Sequence, residues 1–380
     1  MKKPILLTVV IAAICLLASC NGAEEQSYTP ARVIDMEHHM FNAELIDYLR
    51  TRTDFPYCED AAGIWYHDGS LLPIAVNVQT TYKVSEASTG KPMISLLLDM
   101  DDIRLVDMET AGVTTAVVSS GEGPEFLPKD EAVKYARMAN DAMAEAMKKH
   151  PGTFVGSITL PTPYVEESLE ELERAAKELG LKYWHTHSNY GHTYLYEKKY
   201  EPILAKCAEL GIPFYIHPSY PTTDYLTNYG TMLSTAGFGF GVDVMKTAIC
   251  VILNGTFDRY PDLKMILGHT GEFLPFCLDR MDDRFAIAER NGNPDPYVNN
   301  KRTFTDLVKD GNILVTTSGI FDPLVMEFII KKVGIDKIML GTDYPYEDFK
   351  AAVDFIKNLP ISNEDKDKIL YKNAEKYILK

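Results

Sequence analysis

The sequence lacks the signatures of nucleotide binding. No GxGxxG follows a strand-like run and no Walker loop opens a helix, so phosphate-cradling chemistry has no support. It is poor in positive charge, with 38 Lys and Arg against 54 Asp and Glu, a net −16 that becomes −18 without Lys2 and Lys3. Such a surface repels nucleic acid and anionic lipid, which argues against a DNA- or RNA-binding role. It leaves room for an anionic substrate, because a metal ion or an arginine inverts the sign of one pocket. Cysteine is sparse and shows no zinc-ribbon spacing; Cys58, Cys207, Cys250 and Cys277 are expected to be free thiols. The apolar stretch Ile5–Leu17 is too short to cross a bilayer.

That stretch follows Lys2 and Lys3 and runs into LASC, ending at Cys20. The pattern reads as a signal peptide over 1–19 with lipidation of Cys20, then a polar tether over 20–31. The expected product is an exported lipoprotein held on a membrane by its lipid alone, the outer membrane where the cell has one. Residues 32–380 remain for the fold, and a composition 46% hydrophobic supports one large core.

Within that span, eight apolar strand-like runs begin near 33, 114, 153, 181, 212, 263, 313 and 337, and helical patterns separate most of them. Several helices stop at glycine, as at Gly112, Gly180, Gly211 and Gly334. Repeated helix, glycine and apolar strand is the pattern of a parallel sheet. Eight strands select an α/β fold of the closed (β/α)8 TIM-barrel type, finished by helices at 347–358 and 363–378. The long stretch 41–95 after the first strand reads as an insertion or lid that shapes substrate choice.

Histidine and carboxylate gather at the C-terminal ends of these runs: ARVIDMEHH, IPFYIHP, LKMILGHTGE and DKIMLGTDYP. In a parallel barrel those ends open onto one face, where catalysis is built. Glu37 and His39 are two apart, so alternation points both the same way, with His38 opposed and packed. By the same rule Asp35 is expected on the Glu37 face, one pleat deeper. With His217 and Asp343 they make two carboxylates and two imidazoles, a donor set suited to one divalent ion such as Zn²⁺ or Mn²⁺. His269 stands apart as an acid, base or anion donor, with Glu272 and Arg280 expected to reach it from the following helix. His185 and His187 share a face on the fourth run, but no lysine or carboxylate accompanies them to bridge a second ion. Substrate contact by His187, Tyr190 and Tyr344 is expected instead.

ILGHTGEFLPF, FYIHP, TTSG (316–319) and GTDYPYE resemble the amidohydrolase-related decarboxylases of the amidohydrolase superfamily. That group includes γ-resorcylate, 2,3-dihydroxybenzoate and aminocarboxymuconate semialdehyde decarboxylases. The resemblance runs from about residue 33 to the C-terminus. It implies Glu37, His39, His217 and Asp343 as metal ligands and His269 as catalytic histidine, supported by Glu272 and Arg280. It also implies a small carboxylate substrate, no organic cofactor, and dimers or larger assemblies. Ser219, after the HP pair, is a departure, since the aromatic-acid decarboxylases often carry Arg there. Two enzymatic functions fit: non-oxidative decarboxylation of a hydroxylated aromatic or unsaturated acid, or metal-dependent hydrolysis of a lactone, ester or amide. A non-catalytic binding barrel predicts an impaired metal site, whereas every ligand position here is filled.

Overall fold

A computed structural model describes residues 28–59, 63–65, 85–121, 123–227, 230–292 and 295–380. The signal peptide, Cys20, His67 and the middle of the 41–95 insertion lie outside the described residues. All eight expected strands form. They are β1 (Ile34–Met40), β2 (Thr115–Ser120), β3 (Phe154–Ile158), β4 (Tyr183–His187), β5 (Phe214–His217), β6 (Met265–Leu267), β7 (Ile313–Thr316) and β8 (Ile338–Met339). They pair in parallel, in sequence order. The barrel closes because Met36 N–H donates to Leu340 O (2.9 Å), Tyr344 N–H to Glu37 O (3.1 Å) and His39 N–H to Tyr344 O (2.7 Å). The chain just past β8 thus runs hydrogen-bonded alongside β1, with an isolated parallel bridge between Tyr344 and His38, which carries Asp343 to the side of His39.

Strand alternation separates two cores. Ile34, Met36, Val117, Tyr183, Tyr215, Ile266, Leu314 and Met339 fill the barrel interior, and Ala374 and Ile378 seal its lower end. Ala116, Val118, Trp184, Phe214, Ile216, Met265, Leu267 and Val315 face outward and pack beneath the helices. The last helix, expected as one unit, is divided: Asn363–Asp367, a π-turn at Lys368–Lys372, then Asn373–Tyr377. The Ile369 carbonyl in that wide turn accepts Leu340 N–H at 2.8 Å, so the turn supplies a partner to the strand end.

Alternation fails at one place in β1. The β1–β2 register shifts between Asp35 and His38, a bulge that puts one extra residue in the strand. Met36 and Glu37 therefore both belong to the inner side, and Asp35 does not share the Glu37 face as expected. Asp35 turns outward instead, pairing with His38 Nε2 (2.8 Å) and accepting from the Thr342 and Glu37 N–H groups (2.9 and 3.0 Å). His38 is packed as expected, stacked on Tyr344 with ring centroids 4.8 Å apart.

The described part of the insertion comprises a helix, Ala43–Arg50, a short hairpin of Tyr57–Glu59 with Gly63–Trp65, and a helix, Met93–Leu98. Phe41, Leu45, Ile46, Leu49, Cys58, Met93 and Leu97 form a third core with Leu127, Ala132 and Tyr135, and Tyr346 packs against it. Since the Tyr346 ring lies 5.3 Å from His39, the insertion is continuous with the wall of the site. The four described cysteines are free thiols.

Candidate metal and catalytic centre

Glu37, His39, His217 and Asp343 each offer a ligand atom, and the four atoms lie within 4.8 Å of one another. Their neighbours leave one atom of each aimed at the common centre. Glu37 Oε2 accepts from Thr316 Oγ1 (3.2 Å) and from Ser318 Oγ, while buried Oε1 has no hydrogen bond among the described residues. His217 Nδ1 sits 2.9 Å from the Pro218 carbonyl, which can only accept, so Nδ1 carries the proton and Nε2 is a bare lone pair. Ser119 Oγ donates to the His38 carbonyl (3.3 Å) and so receives the His39 Nδ1 proton (3.1 Å). His39 Nε2 is bare by the same reasoning and lies 3.0 Å from Asp343 Oδ1.

The electrostatics agree with a cation at this point. Burial raises the Glu37 carboxyl, and the adjacent Asp343 raises it further, against the pull of His269, His39 and Ser318. Burial, then the His39 and His187 imidazoles, push His217 well below its ordinary range and keep it neutral. Leaving a buried acceptor such as Glu37 Oε1 unpaired costs about 1–3 kcal/mol. A divalent ion would relieve both that cost and the crowding of two carboxylates. The residues present therefore fit a metal.

His269 lies beside this cluster on an unusual backbone. Five successive residues, His269 to Phe273, have positive φ (46°, 58°, 93°, 50° and 66°), and only Gly271 adopts that region freely. Each non-glycine residue there costs roughly 1–2 kcal/mol. The turn brings Glu272 Oε1 to 2.5 Å from His269 Nδ1. Glu272 does not cap the next helix, Leu274–Arg290, whose N-cap is Phe273 with no side-chain cap. His269 Nε2 faces Asp343 Oδ2 at 3.6 Å. Burial pulls the His269 pKa down, but Glu272 and Asp343 outweigh it and hold the imidazole well above its ordinary range. Asp343 also has positive φ, 66°. Burial opposes its ionisation, but the hydrogen bond from His269 and the adjacent His39 imidazole hold it well below the usual carboxylate range. Strain of this kind gathers where geometry matters more than stability.

Three expected residues are elsewhere. Arg280 is exposed: the buried face of its helix is Leu274, Pro275 and Leu278, and two residues past Leu278 is a turn of about 200° toward solvent. Tyr344 is fully buried outside the barrel, bridged to His38 and stacked on its ring. Its hydroxyl donates to Asp107 Oδ2 (2.9 Å) and its ring lies under Arg104. Tyr190 bonds the Thr186 hydroxyl on the outer side of β4 and packs on Tyr200. His187 does reach the site, with its Nδ1 paired to Glu125 and its ring 5.7 Å from His217. Ser119, Glu125, Thr316 and Ser318 are contributors that sequence reasoning missed, although TTSG carries two of them. Glu347 is another: it is half-buried and, by burial and then by Asp343, holds its proton more tightly than an ordinary glutamate.

The sequence profile of the family described as Amidohydrolase matches residues 34–377. The γ-resorcylate decarboxylase of Polaromonas sp. is 34% identical over 291 residues, spanning 74% of this chain and 88% of that protein. The structure of 5-carboxyvanillate decarboxylase from Novosphingobium aromaticivorans, complexed with manganese and 4-hydroxy-3-methoxy-5-nitrobenzoic acid, superposes with a TM-score of 0.77. It is 30% identical and covers 93% of this chain and 96% of that one. A dihydroxybenzoic acid decarboxylase from Polaromonas sp., with bound manganese and the inhibitor 2-nitroresorcinol, gives 0.72 at 28% identity, covering 91% and 96%.

Proposed function

This chain belongs to the amidohydrolase family, and from that membership and the geometry of its centre we propose a metal-dependent, non-oxidative decarboxylase of a small hydroxylated aromatic or unsaturated carboxylic acid. The observation that carries the reading is Asp343, whose two oxygens face a metal-ligand histidine on one side and His269 on the other. The decarboxylases it resembles, two of them with manganese bound, support the same chemistry.

Glu37, His39, His217 and Asp343 would hold the ion. When bound, a divalent ion supplies Lewis acidity toward a substrate carboxylate oxygen and the neighbouring hydroxyl oxygen. Glu272 accepts the His269 Nδ1 proton and so keeps a second proton on Nε2, facing Asp343. That proton passes by way of Asp343 to the substrate carbon bearing the carboxylate. The carbon–carbon bond then breaks, its electron pair returns to the ring or enol system, and CO₂ leaves. Proton in and CO₂ out balance without any oxidant, so no organic cofactor is needed. The part-exposed His269 ring recovers its proton from solvent. His187 stands at the cluster wall, placed to contact the substrate.

Carboxyl-¹³C-labelled hydroxybenzoates, tested with and without Mn²⁺ in D₂O, check this. Release of ¹³CO₂ with one deuterium at the vacated carbon is expected. Release from none of the panel, with ¹⁸O from water entering the product of a lactone or ester instead, would overturn it. We further propose cleavage before Cys20 and lipid attachment there; Cys20→Ala should move the protein from the membrane fraction to the soluble one.

A further inference from the structure

His185 is a buried titratable group inside the barrel that this mechanism leaves unused. It projects into the barrel from β4, level with Tyr215 and one pleat below the pair His187 and His217. Only 5% of its surface is exposed, and neither ring nitrogen has a hydrogen-bond partner among the described residues. Its ring is fixed against Tyr215 (centroids 5.5 Å, planes 23° apart) and tilted toward His217 at 5.0 Å. One nitrogen each of His39, His185 and His217 lies within 4.8 Å of the others. His185 joins no such group with Glu37 or Asp343. The cavity thus presents two donor sets that share His39 and His217. One is completed by two carboxylates toward the mouth, the other by a single imidazole toward the floor.

We propose that His39, His185 and His217 form a second, alternative cation position, all-imidazole, so that one ion is held either with the carboxylates or with His185. It rests on the metal reading of the carboxylate set but goes beyond it. Ligand chemistry assigns the occupants. Carboxylate and water suit Mn²⁺, whereas imidazole suits Zn²⁺, Cu²⁺ and Ni²⁺, which also bind nitrogen more tightly. Three histidines with an open fourth place form a familiar zinc geometry. Zn²⁺ would therefore settle toward His185 and Mn²⁺ toward Glu37 and Asp343. An ion in the lower position loses Asp343 as a ligand, so metal identity would set whether the proton relay and the ion are joined.

The test is metal binding, read independently of turnover. Metal-free full-length protein is loaded with one equivalent of Zn²⁺ and examined by X-ray absorption, which counts imidazole ligands. Three imidazoles are expected for the native chain and two for His185→Phe, whose ring still stacks on Tyr215. In competition, His185→Phe should shift the Zn²⁺ to Mn²⁺ preference at least about tenfold toward Mn²⁺, with Mn²⁺ affinity unchanged. Asp343→Asn should weaken Mn²⁺ and leave zinc with three imidazoles. Two imidazoles in the native zinc form, or an unchanged preference in His185→Phe, overturns the proposal. The native spectrum alone decides it if the variant does not fold. Failure of Mn²⁺ to bind the native protein would instead defeat the carboxylate site and is distinguishable from either result.

Discussion

Asp343 and His269 face each other across 3.6 Å, from Oδ2 to Nε2, while the other Asp343 oxygen lies 3.0 Å from His39. One carboxylate thus joins the ligand cluster to the proton source, and both residues are held there by left-handed backbone. Removing its charge should cut both connections at once.

Asp343→Asn keeps the shape and removes the charge. Its kcat on a confirmed substrate should fall by about 10²–10⁴-fold, the range for losing a positioned acid or base. Steady-state kinetics with the metal content of each sample checks this, and near-native kcat in the metal-loaded variant would count against the relay.

Glu272→Gln should act through His269. His269 works protonated, and its pKa is raised, so activity persists below that pKa and is lost as pH rises through it. Without the Glu272 charge the pKa drops, and the alkaline limb of the kcat profile should move to lower pH. An unmoved limb would show that Glu272 only shapes the turn.

Ser318→Ala should weaken metal binding by about 10–100-fold, the usual cost of removing a group that orients a ligand. Ser318 fixes the Oε2 atom of Glu37, so Oε1 would no longer be aimed at the ion. Titration of metal-free protein with Mn²⁺ reads the change.

Arg280 and Tyr344 separate resemblance from placement. Arg280→Ala, at an exposed position, should leave stability within about 0.5 kcal/mol and kcat unaltered. Tyr344→Phe should cost about 1–3 kcal/mol in denaturant unfolding, because buried Asp107 loses the donor to its Oδ2 atom, with KM little changed. A large KM increase in either variant would return that residue to the site.

Much of the fold was legible because most barrel strands after the first are apolar runs preceded by a helix, some with a clear stop, as at Gly112 and Gly211. The dispersed residues Glu37, His39, His217, His269 and Asp343 were legible for the same reason: each lies within or just past the C-terminal part of a strand, and those ends share a face. Alternation misplaced Asp35, since a bulge leaves no mark in VIDMEHH. Tyr190 lies past its strand end, where periodicity carries no orientation. Tyr344 sits in the segment that closes the barrel on β1, a pairing no local pattern reveals. Arg280 was misplaced by helix phase. The hydroxyls of Ser119 and Ser318 orient ligands from other strands of the barrel and look in sequence like any small polar residue. Nor does HTGEF, with its one glycine, announce five left-handed residues.

Anomalous diffraction at the manganese edge from Mn²⁺-soaked crystals tests the centre most directly. The geometry predicts one peak bounded by Glu37 Oε1, His39 Nε2, His217 Nε2 and an Asp343 oxygen, with His269 adjacent but not coordinating. A manganese peak that excludes Glu37 and Asp343, or none in the barrel mouth, would contradict it.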